Sequence, residues 1–342
     1  KHLSKSSDTI AGFLRRNKAV EKFLKKAILL ILVLLTVLTA VLFIAMPGKK
    51  IRSSEADVVV TTFALYDVAR HLLEHDAQVQ MLIPFGQDVH TFEPTPRDMI
   101  RVEKSRLFLY SGAGLEPWAS HFVELNHAVD MSGYVRLREG GHAHHEEAHA
   151  GAEDGAEDHA EVHHHEPHAY DPHYWLDIDN MKALVRVMET RFIQAFPALD
   201  AGAIHGRAEA YVKRLDTLDG LYRKRLSECR LDTIVVSHNA FGYLAARYGF
   251  RVAALTGLSP DTMPDAKTMA QLSDLVQEKG VKTLFYESFV SDKLAVALAR
   301  ESGVKVDVLQ PLANITAEEI GADYFRLMNA NLLKLHDALE CR

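Results

Sequence analysis

Three of the 19 histidines in this 342-residue chain occupy positions where an imidazole can do chemistry. His90 lies in PFGQDVHTFEPTPRD, His173 in DPHYWLD and His238 in VVSHNAFGYLAARYG. A neutral imidazole offers one lone pair to a borderline-soft ion such as Zn²⁺, and a zinc site gathers three or four such ligands from separate, well-anchored parts of a chain. In open parallel sheets ligands bind beyond the carboxyl ends of the strands, and that rule singles out two of the three. His90 follows the β-branched run 79–83, in a loop whose path Pro84, Gly86 and Pro94 restrict. His238 follows the run 233–237 and opens the next helical pattern. His173 sits where Tyr174, Trp175 and Leu176 can lock the backbone. A single histidine is more often a solvated or satisfied core residue than a ligand, so the set carries the argument. His71, His75, His121, His205 and His336 fall within helical patterns and read as solvated or structural.

Just before His173 the chain changes character. Residues 140–168 are almost entirely His, Glu, Asp, Ala and Gly, with eight carboxylates and no Lys or Arg. This tract alone accounts for the formal charge of −7, and no basic surface for nucleic acid is indicated. Its composition cannot bury a core, so it is expected to be a flexible loop. His142, His144, His145, His149, His159, His163, His164, His165 and His168 would then form an auxiliary, lower-affinity metal-collecting loop. The plainer alternative is a solvated low-complexity tract.

The elements that must position these residues follow from periodicity. A chain with 48% apolar residues and this length supports two domains. Short β-branched runs at 58–62, 79–83, 107–110 and 128–131 alternate with amphipathic stretches, and the alternation restarts at 233–237, 251–255, 283–286 and 304–309. That grammar predicts two α/β lobes with mainly parallel sheets. A helix is expected from Met181, capped by Asp179, to about Gln194, with Pro197 beyond its end. A longer one is expected over 204–228, where Ala208, Tyr211, Val212, Leu215, Leu218, Tyr222 and Leu226 form one stripe; its length suits a strut between lobes. A last helix is expected over 317–339. The resulting division is 1–56 basic segment and signal or anchor helix, 57–139 first lobe, 140–168 His-rich loop, 169–203 metal-site segment and helix, 204–230 connecting helix, and 231–342 second lobe.

Residues 27–46, AILLILVLLTVLTAVLFIAM, carry no charge and are long enough to span a bilayer as a helix. Arg15, Arg16, Lys18, Lys22, Lys25 and Lys26 precede them, which leaves the N-terminus in the cytoplasm and exports the body. Ser54-Glu55-Ala56 resembles a cleavage site but stands apart from the apolar run, so tethering to the inner membrane and release after cleavage both stay open. No Cys closely follows the apolar run, which argues against a lipoprotein anchor. The two cysteines, Cys229 and Cys341, can pair in an oxidising compartment or remain as buried thiols.

The ordered set PFGQDVHTFEPTPRD, DPHYWLD, VVSHNAFGYLAARYG, LSPDTMPDAKTMAQL, LFYESFVS and VLQPLANI resembles the zinc-binding solute receptors of bacterial ABC importers, in the branch that also carries manganese. The resemblance covers 57–342. It implies two α/β lobes joined by a long rigid helix, Zn²⁺ as the transported ligand in the cleft, and an ABC-type permease with its ATPase as partners. It carries ligand roles onto His90, His173 and His238. Manganese receptors of this branch commonly have a carboxylate where His238 stands, and Mn²⁺ prefers oxygen ligands. The family usually supplies a carboxylate at the motif where this chain has Gln310, so Gln310, Glu287 and water are the candidates for a fourth ligand. Two other readings are a manganese or iron receptor and a zinc-dependent hydrolase, the latter with Glu93 or Glu287 as base but without a motif such as H-E-x-x-H.

Overall fold

The computed structural model describes residues 56–140, 170–259, 266–287 and 293–342. The N-terminal apolar run and the His-rich tract, each the subject of an expectation above, lie outside the described residues.

Among the described residues eight strands form two four-stranded sheets, all of whose pairings are parallel. The first has the order β2-β1-β3-β4 and the second β6-β5-β7-β8. The strands are β1 Val58–Val60, β2 Val79–Met81, β3 Leu107–Tyr110, β4 Ala128–Asp130, β5 Thr233–His238, β6 Arg251–Thr256, β7 Thr283–Tyr286 and β8 Lys305–Val308. The valines of β1 and the LFLY of β3 are buried throughout, because a parallel sheet covered on both faces has no solvent side to alternate with. In both sheets the chain passes first to one side of the leading strand and then to the other. Each sheet therefore has a switch point, between β1 and β3 in the first and between β5 and β7 in the second, where the loops beyond the strand ends diverge and leave a crevice.

The helices are α1 Phe63–Leu73, α2 Pro96–Lys104, α3 Ile178–Ala195, α4 Ala201–Arg225, α5 Gly242–Tyr248, α6 Ala266–Glu278, α7 Lys293–Ser302 and α8 Tyr324–Ala338. None of the described helices is long and apolar enough to cross a membrane. The 25-residue α4 starts at its cap Asp200 and buries Ile204, Ala208, Tyr211, Leu215, Leu218 and Tyr222, the spacing of three and four that puts one stripe on the core. Two of those residues tie the helix to distant parts of the chain. Tyr211 donates to Asp67 Oδ2 on α1 at 2.8 Å, and Tyr222 donates to the carbonyl of Met328 on α8 at 2.6 Å. The stripe belongs to the larger core, which runs through both lobes. A smaller cluster centred on Val235, Leu272 and Leu284 fills one side of the second sheet.

Three helix boundaries differ from expectation. Helix α4 runs Ala201–Arg225 rather than 204–228, because Asp200 Oδ1 accepts from Gly202 N and Ala203 N and starts the helix earlier. Helix α3 is capped by Asp177 rather than Asp179, because Asp177 Oδ1 accepts from both Asp179 N and Asn180 N at 2.7 and 3.1 Å, whereas the Asp179 carboxylate is held by Arg247 at 2.8 Å. The stretch expected as one helix over 317–339 is broken. A short 3-10 turn, Ala317–Glu319, ends before Gly321, whose φ of +98° leaves the right-handed helical region, and Asp323 caps a new helix by accepting from Arg326 N.

Cys229 and Cys341 are joined by a disulfide across 112 residues of sequence. Closing so long a loop restricts the unfolded chain. Replacing both cysteines by serine is expected to lower the unfolding free energy by about 2–5 kcal/mol. Urea denaturation would show this; an unchanged midpoint would mean that the link adds nothing to the fold.

Candidate metal centre

His238 is the final residue of β5, and Glu287 directly follows β7, so both stand at the switch point of the second sheet. Their side chains meet there: the Glu287 carboxylate pairs with Nδ1 of His238, and both residues are almost fully buried. The rigid strand end sets the imidazole's origin and the carboxylate sets its rotation.

His173 is held from three directions. The residues after it form a buried 3-10 turn, Tyr174–Leu176. Tyr174 donates to the carbonyl of Ser111, just beyond β3, at 2.7 Å, and Trp175 Nε1 donates to the carbonyl of Pro311, beyond β8, at 2.7 Å. Tyr324 closes the set by donating to the Trp175 carbonyl. The imidazole itself is anchored by Asp171, whose Oδ1 lies 2.9 Å from His173 N and 2.8 Å from His173 Nδ1. Gly242 makes room for that carboxylate: a Cβ there would come within 3.0 Å of Asp171 Oδ2.

His90 lies in the loop after β2, half-buried. Its backbone N–H is received by Asp88 Oδ1 at 2.9 Å, and Val89 and Phe92 on either side are buried.

These three histidines converge, each presenting one ring nitrogen within 4.8 Å of the others. Among the described His, Cys, Asp and Glu residues they are the group of three or more that can hold one ion. Their ring centroids lie 5.2–5.6 Å apart. The tightest approach, 3.4 Å, is between Nε2 of His173 and Nε2 of His238. Two nitrogens bound at about 2.0–2.1 Å to one tetrahedral zinc stand roughly 3.3–3.4 Å apart. In each of these rings Nδ1 faces a carboxylate, which favours the tautomer with the proton on Nδ1 and the lone pair on Nε2. Two neutral rings in that tautomer would oppose their lone pairs. A proton on one ring, or a cation held by both, relieves the repulsion. Burial alone would lower the proton affinity of His238, but the Glu287 charge and its hydrogen bond outweigh burial, with Asp88 and Asp171 adding to them, and its pKa is raised.

Of the proposed fourth ligands, Glu287 is the partner of His238 Nδ1. Gln310 is buried; its Nε2 donates to Glu319 Oε1 at 2.5 Å, and its backbone is paired on both sides with the Asn331 amide. Glu93 is exposed. The nine histidines of the tract lie outside the described residues, but both of its flanks are visible: Glu139 and Tyr170 form a bridge, and Asp171 N donates to the Arg138 carbonyl at 3.0 Å. Tyr243 Oη joins them, accepting from Arg138 N and donating to the Asp171 carbonyl. The tract thus leaves and returns beside the residue that orients His173.

Asp171 and Asp88 were missed as supporting residues. The signal was present in the spacing D-x-H, which occurs in both QDVHT and DPHYW; an aspartate reaching the backbone N–H two residues on is a common local turn.

Two parallel α/β lobes joined by a long helix, with three histidines gathered at and beyond the strand ends, fit the class of solute-binding receptors. The chain belongs to the family described as zinc-uptake complex component A, periplasmic, whose model matches residues 58–338. It is 32% identical over 317 residues to the zinc-binding protein AdcA of Streptococcus pyogenes, an alignment covering 90% of this chain and 61% of that protein. The chain therefore spans about three-fifths of the length of this relative. It is 31% identical to the high-affinity zinc uptake system protein ZnuA of Bacillus subtilis, covering 84% of this chain and 89% of the relative. Among solved structures, the Zn(II)-bound ZnuA-like domain of Streptococcus pneumoniae AdcA superposes with a TM-score of 0.67 at 27% identity, covering 84% of this chain and all of that one.

The Asp171–His173 pair gives a direct expectation. Asp171→Ala should weaken binding of a divalent ion at the three histidines by about 10- to 100-fold, the usual effect of losing an outer partner of a ligating imidazole. Competition against a chromophoric chelator measures it; parental affinity would show that the carboxylate does not orient the ring.

Proposed function

We propose that this chain is an exported receptor that binds one Zn²⁺ tightly through His90, His173 and His238 and delivers it to an ABC-type permease driven by its ATPase. The observation that carries the reading is the 3.4 Å approach of the two Nε2 atoms whose rings are turned by buried carboxylates. The family membership and the zinc-binding relatives agree with it.

An all-imidazole set favours zinc over manganese, which prefers oxygen. The carboxylates of Asp171 and Glu287 engage the far nitrogens of the rings, so they offset the ion's charge without taking a place on it. The fourth position then falls to water or to the Gln310 amide oxygen. A cargo ion must leave again, and a neutral inner set releases it more readily than one closed by an anion. A receptor is favoured over a hydrolase because Glu287 is committed to His238 and Glu93 is exposed, which leaves neither as an evident base for a metal-bound water. The segment 27–46 is read as the export signal or membrane anchor, and the tract 140–168 as a collecting loop whose neck opens beside Asp171.

Replacing any one of the three histidines by alanine should weaken zinc binding at least about tenfold, and Mn²⁺ should compete poorly with Zn²⁺. Affinity should fall on acidification. Below its raised pKa His238 is protonated and cannot ligate, so zinc must displace a proton and binding is lost as the pH drops through that value. Calorimetry across a pH series checks both. Single variants that all bind like the parent, in a protein lacking 141–168, would sink the assignment.

The collecting role is tested by removing 141–168 as a block, since scattered ligands can replace one another. The shortened protein should keep one tight zinc and lose the weaker equivalents. If the tight equivalent disappears instead, the ranking of loop and cleft is reversed.

A further inference from the structure

The loop that carries His90 is fastened by a side chain from the far end of the sequence. Asn314 lies in the buried segment after β8 and has no solvent exposure. Its Nδ2 donates to two carbonyls of the loop, Pro84 O and Gln87 O, each at 2.7 Å, while its Oδ1 accepts from Ile315 N at 2.8 Å. With two acceptors facing the nitrogen and one donor facing the oxygen, the amide has a single satisfying orientation. The next residue adds a backbone tie, Gly86 N donating to the Ile315 carbonyl at 2.8 Å, at a glycine whose φ of +82° turns the loop.

Only Asp88 and Val89 separate this fastening from His90. Asp88 receives the His90 N–H and Val89 is buried, so the loop from Pro84 to His90 is held at successive points. This matters more for His90 than for its partners. His238 ends a central strand and His173 sits in an aromatic-locked turn, whereas the direction of His90 depends on how its loop is held.

We propose that Asn314 is a positioning residue of the metal site: through Pro84 and Gln87 it holds the loop in the form that brings His90 to His173 and His238 before the ion arrives. Ordering the loop in advance removes an entropy cost that binding would otherwise bear. The proposal rests on the three-histidine site set out above.

A double-mutant cycle separates a positioning effect from a general loss of stability. Zinc dissociation constants are measured by chelator competition for the parent, Asn314→Ala, His90→Ala and the double variant. Asn314→Ala should weaken zinc about tenfold or more in the parent, as for other supporting groups, and change it less than about twofold once His90 is gone. Asn314→Asp keeps the acceptor for Ile315 N and removes both donors, so it should reproduce the loss and serves if the alanine variant folds poorly. Equal losses in both backgrounds would show that Asn314 acts on the whole fold, and no loss in the parent would show that it does not act on the site; either overturns the proposal while leaving the site reading intact. If His90→Ala itself binds zinc like the parent, the site reading fails and this proposal with it.

Discussion

The site depends on one recurring interaction, a buried carboxylate holding the far nitrogen of an imidazole. Asp171 does this for His173 and Glu287 for His238. Burying a carboxylate without a partner is costly, so each pair must form when the chain folds, and once formed it decides which ring nitrogen faces inward. The inward nitrogens of the two rings then stand 3.4 Å apart. A shared proton or a cation can bridge that gap, which supports the proposed metal site.

Everything around the pairs serves to keep them in place. The switch point of the second sheet puts His238 and Glu287 at adjoining strand ends, which no single helix or loop could do with the same constancy. Tyr174 and Trp175 each spend their polar atom on a carbonyl from a different strand-end loop, so the turn that carries His173 is referenced to both sheets at once. The crossing segment 309–315, buried along its length, reaches back to the first lobe through Ala313 and Asn314. Helix α4, bonded to α1 at Asp67 and to α8 at Met328, is the other link. With the crossing segment, these ties explain why one apolar core runs through both lobes.

Much of this was legible in the sequence, for reasons that can be named. Valine-rich runs separated by amphipathic stretches leave few alternatives to a parallel sheet, and the rule that ligands sit beyond strand ends was enough to choose His90 and His238 from among the other histidines. His173 was legible from the aromatic residues after it. What was not legible depended on side-chain direction. Asp177 and Asp179 are equally good caps on paper; Arg247, distant in sequence, draws Asp179 away. Glu287 was placed correctly at a strand end, but sequence alone could not say that it faces the back of His238. The fastening by Asn314 joins residues at opposite ends of the folded body and has no local pattern at all.

On the function proposed above, three imidazoles, and not the His-rich tract, hold the tightly bound ion. X-ray absorption at the zinc edge, on protein lacking 141–168 and loaded with one equivalent, tests it most directly. Three imidazole nitrogens at about 2.0–2.1 Å, with one further light atom completing the tetrahedron, are expected. A shell dominated by oxygen, or one with fewer than three imidazoles, would contradict it.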